Sequence, residues 1–292
     1  MLQGRWGTLL SRAQYHLTTL HLFSRADYLT VIPTASVFFK ESQITDSTKK
    51  WALAKSTLWA FIHLLQIALS NQSSGHEDKL DKPWRPVPSG RITVEQVRRL
   101  RWILSAGCLA VSFAAGPFVL AASLGVTLYT ILYDDLLLRG HLIFRNLCIA
   151  AGYLASDIGT LTLMKPTRIQ RLEAEELRSL VCCALLIFTT FSAHDFPDVG
   201  GDKTSGRRTF PIVAPYASRW IVSSMVILWT TMICYSWSLD AISRGFFFGL
   251  GVVIGVRFLL FRDALRDRRT LSLYKIWLII AHMQPAGRRA VI

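Results

Sequence analysis

Leu185-Leu186-Ile187-Phe188-Thr189-Thr190-Phe191-Ser192-Ala193-His194-Asp195-Phe196-Pro197-Asp198-Val199-Gly200-Gly201-Asp202-Lys203 decides how this chain is read. An apolar run ends in three aspartates within eight residues, and basic residues follow at once. Aspartates so close together repel one another unless a cation shares them. At the end of a membrane span such charges are costly unless they are used. On a helix, Asp195, Asp198 and Asp202 fall at i, i+3 and i+7, one stripe able to ligate one or two ions. Gly200 and Gly201 loosen the helix end, which leaves delivery of Asp202 by a loop as the alternative. Lys203, Arg207 and Arg208 supply cations for diphosphate oxygens, the arginines bidentately. The plainer reading is a charged loop beside the membrane.

A second acidic stretch lies about 120 residues earlier, also behind an apolar run: Asn71-Gln72-Ser73-Ser74-Gly75-His76-Glu77-Asp78-Lys79-Leu80-Asp81-Lys82-Pro83-Trp84-Arg85-Pro86. Asp78 and Asp81 are spaced i, i+3 beside Glu77, and Asn71 offers a neutral oxygen. Lys82 and Arg85 are the phosphate partners, while Pro83 and Pro86 end the helix and stiffen the loop. Hard Mg²⁺ takes one or two carboxylates and completes its shell with water and substrate phosphates. Two such motifs therefore point to a diphosphate held by Mg²⁺, with Asp78, Asp81, Asp195, Asp198 and Asp202 as metal ligands.

Only 18% of the 292 residues are charged and 51% are hydrophobic. A soluble chain carries about 25% charged residues. Runs near the roughly 20 residues of a membrane helix are read at 24–40, 51–70, 101–115, 117–138, 142–163, 175–194, 213–235, 240–261 and 271–287, nine in all, with limits least defined for the third, eighth and ninth. The reading is an all-α helical membrane bundle with pseudo-symmetric halves around one cavity, an N-terminal segment 1–23, and a transmembrane domain over 24–292. With nine spans, the gaps richer in Lys and Arg place the N-terminus and both motifs in the cytosol. The net charge of +14 sits between apolar runs, not on a basic polar face, so nucleic acid is not expected as a partner.

The five cysteines lie inside apolar runs without CxxC spacing, and the seven histidines show no HExxH, so neither a disulfide framework nor catalytic zinc is expected. Asp157, inside a span, is expected to face the cavity or to be protonated. His194 reads as a partner to a metal ligand or a proton acceptor, and His63 as a packing residue. Asp134 and Asp135 read as interface markers. Aromatic faces stabilise cations; Tyr129 and Tyr133, spaced i, i+4, are the cavity candidates, with Tyr133 placed against the substrate.

With these motifs the chain resembles the UbiA superfamily of intramembrane prenyltransferases over nearly its full length. Asp195-x-x-Asp198-x-x-x-Asp202, followed by Gly206-Arg207-Arg208-Thr209, carries most of the resemblance, with Lys82-Pro83-Trp84-Arg85-Pro86-x-Pro88-Ser89-Gly90-Arg91 beside it. The first motif departs from the usual NDxxDxxxD: Gln72 follows Asn71, Gly75 stands where the next aspartate would be, and the run to Asp78 is one residue short. This variant is similar to the fungal membrane-bound terpene cyclases of the superfamily. The resemblance implies a class I cyclase that ionises a prenyl diphosphate, farnesyl diphosphate foremost, in the endoplasmic-reticulum membrane, for secondary metabolism. Asp78, Asp198 and Asp202 would then be catalytic. A prenyltransferase passing the prenyl group to an aromatic or other acceptor and a non-enzymatic transporter or lipid-binding scaffold are the alternatives.

Overall fold

The computed structural model describes residues 2–25, 46–73, 82–165, 172–236 and 239–283; within these, all regular structure is helical. Glu77, Asp78 and Asp81 of the first motif, and residues 26–40 of the first expected span, lie outside the described residues.

The first half comprises α1 (Leu2–Ser24), α2 (Asp46–Gln72), α3 (Val94–Ala115), α4 (Pro117–Thr130) and α5 (Leu142–Met164). The N-terminus of α3 is closed by a capping box: Thr93 Oγ1 accepts from Gln96 N at 3.2 Å, and Gln96 Oε1 accepts from Thr93 N at 3.0 Å. At its other end Gly116 takes a φ of 130°, open to glycine, and Pro117 starts α4 without an N–H to give. The chain thus turns sharply between two packed helices. A π-helical turn, Ile131–Asp135, ends α4 and buries Tyr133 and Asp134; such turns concentrate at functional sites.

Between α2 and the α3–α4 pair runs a ladder of polar contacts, the usual glue between membrane helices. Trp59 Nε1 donates to Ser112 Oγ at 2.8 Å, His63 Nε2 meets Ser123 Oγ at 2.8 Å, and Gln66 Nε2 donates to Ser105 Oγ and Thr127 Oγ1 at 3.1 and 3.0 Å. His63 also meets the Trp59 carbonyl, so both ring nitrogens are engaged, as a packing histidine requires. Ser70 donates to Asp134, and Arg101 grips Asp135 through two 2.7 Å bonds. The two aspartates therefore do more than mark an interface: they tie α2 and α3 to the end of α4.

The second half has α6 (Ala174–Thr190), the short α7 (Val199–Thr204) and α8 (Phe210–Val213), then α9 (Pro215–Ser236), α10 (Ala241–Leu260) and α11 (Ala264–Met283). Phe247, Phe258, Ile254, Val222, Tyr274 and Trp277 pack into its core. Arg219 of α9 reaches Asp267 of α11 with bonds of 3.0 and 2.7 Å and also donates to the carbonyls of Phe258 and Phe261.

Among the described residues six helices are long and apolar enough to cross a membrane: Lys50–Gln72, Pro117–Asp135, Leu142–Met164, Ala174–Asp195, Pro215–Ser236 and Ala241–Leu260. The expected count of nine is not confirmed among the described residues, and the first expected span falls almost wholly outside them. The third and ninth expected spans do form helices, α3 and α11, but each carries charge within its length: Arg98, Arg99 and Arg101 on α3, and Arg266, Asp267, Arg268, Arg269 and Lys275 on α11.

Candidate active site

After α6 the chain tightens into a 3₁₀ turn, Phe191–Asp195, before starting α7 at Val199. The three aspartates therefore do not share one continuous helix. Asp195 ends the tight turn, Asp198 precedes α7, and Asp202 lies within it. All three nevertheless line one chamber, with a turn at Phe196–Asp198 joining the 3₁₀ segment to α7.

Each carboxylate faces a cation from a different segment. Arg145, one turn into α5, donates to Asp195; Lys82, from the segment after the first motif, reaches Asp198 Oδ2 at 2.8 Å; and Arg207 reaches Asp202 Oδ1 at 3.1 Å. Arg85, Arg268 and Lys275 line the same chamber. The charge balance thus depends on three stretches of chain far apart in sequence. Asp195 is 4% exposed, and its Oδ2 is buried without a hydrogen-bond partner. An orphaned carboxylate oxygen is costly unless something occupies it, and oxygen donors beside two further carboxylates suit a hard cation. No three His, Cys, Asp or Glu side chains converge into a metal cage among the described residues. Mg²⁺ needs none, since substrate phosphates and water complete its shell. The donor set fits the ion.

A second, apolar chamber adjoins the first. Ala60, Leu64 and Ile67 of α2 face Ile149, Gly152, Tyr153 and Ser156 of α5 across it, with Tyr129 at one side. Asn71, Arg85, Tyr133, Phe191 and His194 line both chambers and form the collar between them. The volumes are about 300 Å³ for the charged part and 180 Å³ for the apolar part; joined, they fall within the ~300–1,000 Å³ of small-molecule sites. The walls are aromatic: the Phe191 and His194 rings stack at 4.1 Å, Tyr129 and Tyr133 lie 5.4 Å apart, and Tyr153 meets Phe191 edge-on at 5.9 Å. Gly152 lets the Tyr129 ring lie against α5, since a Cβ there would stand 2.8 Å from its Cγ.

Of the residues singled out in the sequence, Asn71, Lys82, Arg85, Tyr133, Asp195, Asp198, Asp202 and Arg207 meet at this site. Lys203 does not; it lines a separate surface cleft with Pro211, Tyr216 and Arg262. Arg208 is exposed and lines none of these cavities. Asp78 and Asp81 lie outside the described residues. Asp157 is buried on α5 but lines neither chamber, and its Oδ1 has no hydrogen-bond partner. Arg145, Arg268 and Lys275 were not identified from the sequence as site residues. A signal existed for two of them: Arg145 lies inside the apolar run 142–163 and Lys275 inside 271–287, where an ionisable residue is functional by default.

A helical membrane protein with an acidic, cation-balanced chamber opening onto an aromatic one belongs to a recognisable class. The family model for the UbiA prenyltransferase family matches residues 30–279, and the chain is a member of that family. It is 27% identical over 279 residues to fumagillin beta-trans-bergamotene synthase of Aspergillus fumigatus, covering 92% of each chain. A diterpene cyclase of Hericium erinaceus is 26% identical over 263 residues, 86% of this chain and 82% of that one. The fold matches a solved UbiA homolog from Archaeoglobus fulgidus bound to GPP and Mg²⁺, with a TM-score of 0.60 at 14% identity over 92% of this chain and 99% of the other. The protein is thus an integral membrane enzyme of the UbiA superfamily, a terpene cyclase or a prenyltransferase. The non-enzymatic reading falls with this membership.

Proposed function

We propose that the protein is a class I terpene cyclase that ionises farnesyl diphosphate in the presence of Mg²⁺ and closes the chain on itself. The observation that carries this reading is the collar. A charged chamber passes directly into an apolar aromatic one, so a diphosphate and its prenyl tail each find a matching wall. The likeness to two fungal enzymes named as a synthase and a cyclase favours cyclisation.

Asp195, Asp198 and Asp202, with Asp78 and Asp81 of the first motif, would hold Mg²⁺, which when bound supplies charge stabilisation to the leaving diphosphate. Lys82, Arg85 and Arg207, joined by Arg145, Arg268 and Lys275, balance the negative charge that grows on the diphosphate as the C–O bond breaks. Preorganised cations of this kind lower a barrier without having to reorganise. Asn71 at the collar orients the diphosphate end, and Tyr129, Tyr133, Tyr153 and Phe191 turn aromatic faces toward the allylic cation. Lys203 and Arg208 are left out of this set. Segment 1–23 and both motifs face the cytosol in this reading, with the transmembrane domain in the endoplasmic-reticulum membrane.

Transfer of the prenyl group to an aromatic or other acceptor is the second reading, favoured by the family's description as prenyltransferases. Membranes carrying the protein, given farnesyl diphosphate and Mg²⁺ without acceptor, decide between them by gas chromatography–mass spectrometry. A new sesquiterpene is expected. Diphosphate release that appears only when an aromatic acceptor is added would move the assignment to transferase.

A further inference from the structure

On α5, chamber-lining positions end at Ser156. Three residues on, the same stripe presents Gly159, and there the chamber stops. A Cβ at Gly159 would overlap the six-membered ring of Trp59, so the indole lies directly on the α5 backbone. On the facing helix α2, Asn71, Ile67, Leu64 and Ala60 line the chamber from collar to depth, and Trp59 directly precedes the deepest of them.

We propose that Trp59, seated on Gly159 just beyond the last lining residues Ala60 and Ser156, closes the apolar chamber from behind and sets how long a prenyl chain the enzyme takes. The inference rests on the prenyl diphosphate reading above, but not on whether the product is cyclised or transferred. The ring is held from three sides: its Nε1 donates to Ser112 Oγ at 2.8 Å, His63 lies over it at 3.9 Å, and Val119 and Ala122 pack with it. At 2% exposure it has no slack to swing away.

The helix rise from Asn71 to Ala60 spans about 16 Å. An extended isoprene unit of four backbone bonds adds about 5 Å at the ~1.2 Å per bond of an extended chain. Laid extended, as for transfer, three units reach the level of Ala60 and a fourth meets the indole; a chain folded for cyclisation is limited by the same wall through its volume.

The test compares C10, C15 and C20 prenyl diphosphates by the rate of diphosphate release from full-length protein in membranes. Trp59→Ala should raise C20 turnover relative to C15 by about tenfold or more, the scale on which a pocket discriminates apolar bulk. Gly159→Ala, which pushes the indole toward the chamber, should move the C15-to-C10 ratio the opposite way. Trp59→Phe should fall between wild type and Trp59→Ala. Ratios unchanged within about twofold in active variants would overturn the proposal. So would loss of all turnover in variants that keep the wild-type melting temperature, because the indole would then serve activity and not length. If wild type releases no diphosphate from any of the three, the failure belongs to the functional reading itself.

Discussion

Arg145 and Asp195, fifty residues apart in sequence, form a buried ion pair that joins the start of α5 to the end of the Phe191–Asp195 turn. Arg145 also donates to Asn146 Oδ1 at 3.1 Å, and Asn146 in turn donates to the Phe188 carbonyl and Ser192 Oγ, so the guanidinium is fixed from its own helix and α6 follows α5. The pair lines the charged chamber, where the proposed leaving diphosphate would need positive charge.

Arg145→Ala should therefore lower the rate of diphosphate release about 10²–10³-fold, the usual result of deleting one preorganised charge-stabilising donor. Arg145→Lys should restore part of it, since charge returns without the fork of donors that bonds Asp195 and Asn146 together. Steady-state kinetics on both variants is the check, and equal activity of wild type and Arg145→Ala would remove the residue from the site.

Lys82 and Lys203 give a paired comparison. Lys82 reaches Asp198 at 2.8 Å inside the chamber, whereas Lys203 is exposed and faces a different cleft. Lys82→Ala should cost about 1.5–3 kcal/mol of transition-state stabilisation, the range for hydrogen bonds to charged groups. Lys203→Ala should stay within about 0.5 kcal/mol of wild type. The sequence ranks the two lysines alike, so measuring kcat/KM for both tests the structure directly.

Chelation should abolish diphosphate release, and added Mg²⁺ should restore it. In Asp198→Ala and Asp202→Ala the restoration should fail or require far more metal. A Mg²⁺ titration of release rate in the three proteins shows this as a displaced curve. Full restoration of Asp198→Ala at the wild-type Mg²⁺ concentration would count against a ligand role for that aspartate.

The Arg219–Asp267 pair makes a claim about stability, not chemistry. Asp267 is 1% exposed and its partner bridges α9, the end of α10 and α11. Asp267→Ala leaves a buried guanidinium short of its counter-charge, which typically costs about 3–5 kcal/mol. The melting temperature of the detergent-solubilised protein should fall clearly, while Arg99→Ala, at the exposed i,i+4 pair with Glu95, should leave it nearly unchanged.

Much of this was legible in the chain itself. Apolar runs near the bilayer's thickness made the helical membrane class plain, and six of the expected spans recur as apolar helices with similar limits. The second acidic motif stood out because charge at the end of a span is expensive. Lys82, Arg85, Asn71 and Tyr133 were also readable, since short-range spacing put them beside the motifs or on an inward helical face. The stripe expected for Asp195, Asp198 and Asp202 was not what brought them together: a 3₁₀ turn and the bend at Phe196–Asp198 did so instead.

By itself the sequence determined what this protein is made of and where it resides: apolar helices, charged ends, and the residue types a diphosphate site needs. These follow from periodicity and solvation, which are local. The tertiary structure alone decided which cation meets which carboxylate, why Arg145, Arg268 and Lys275 enter the site while Lys203 and Arg208 do not, and where the indole of Trp59 lies on Gly159. Those outcomes depend on how helices distant in sequence pack and rotate against one another, and a charge or ring on one helix has no partner until the neighbouring helix supplies it.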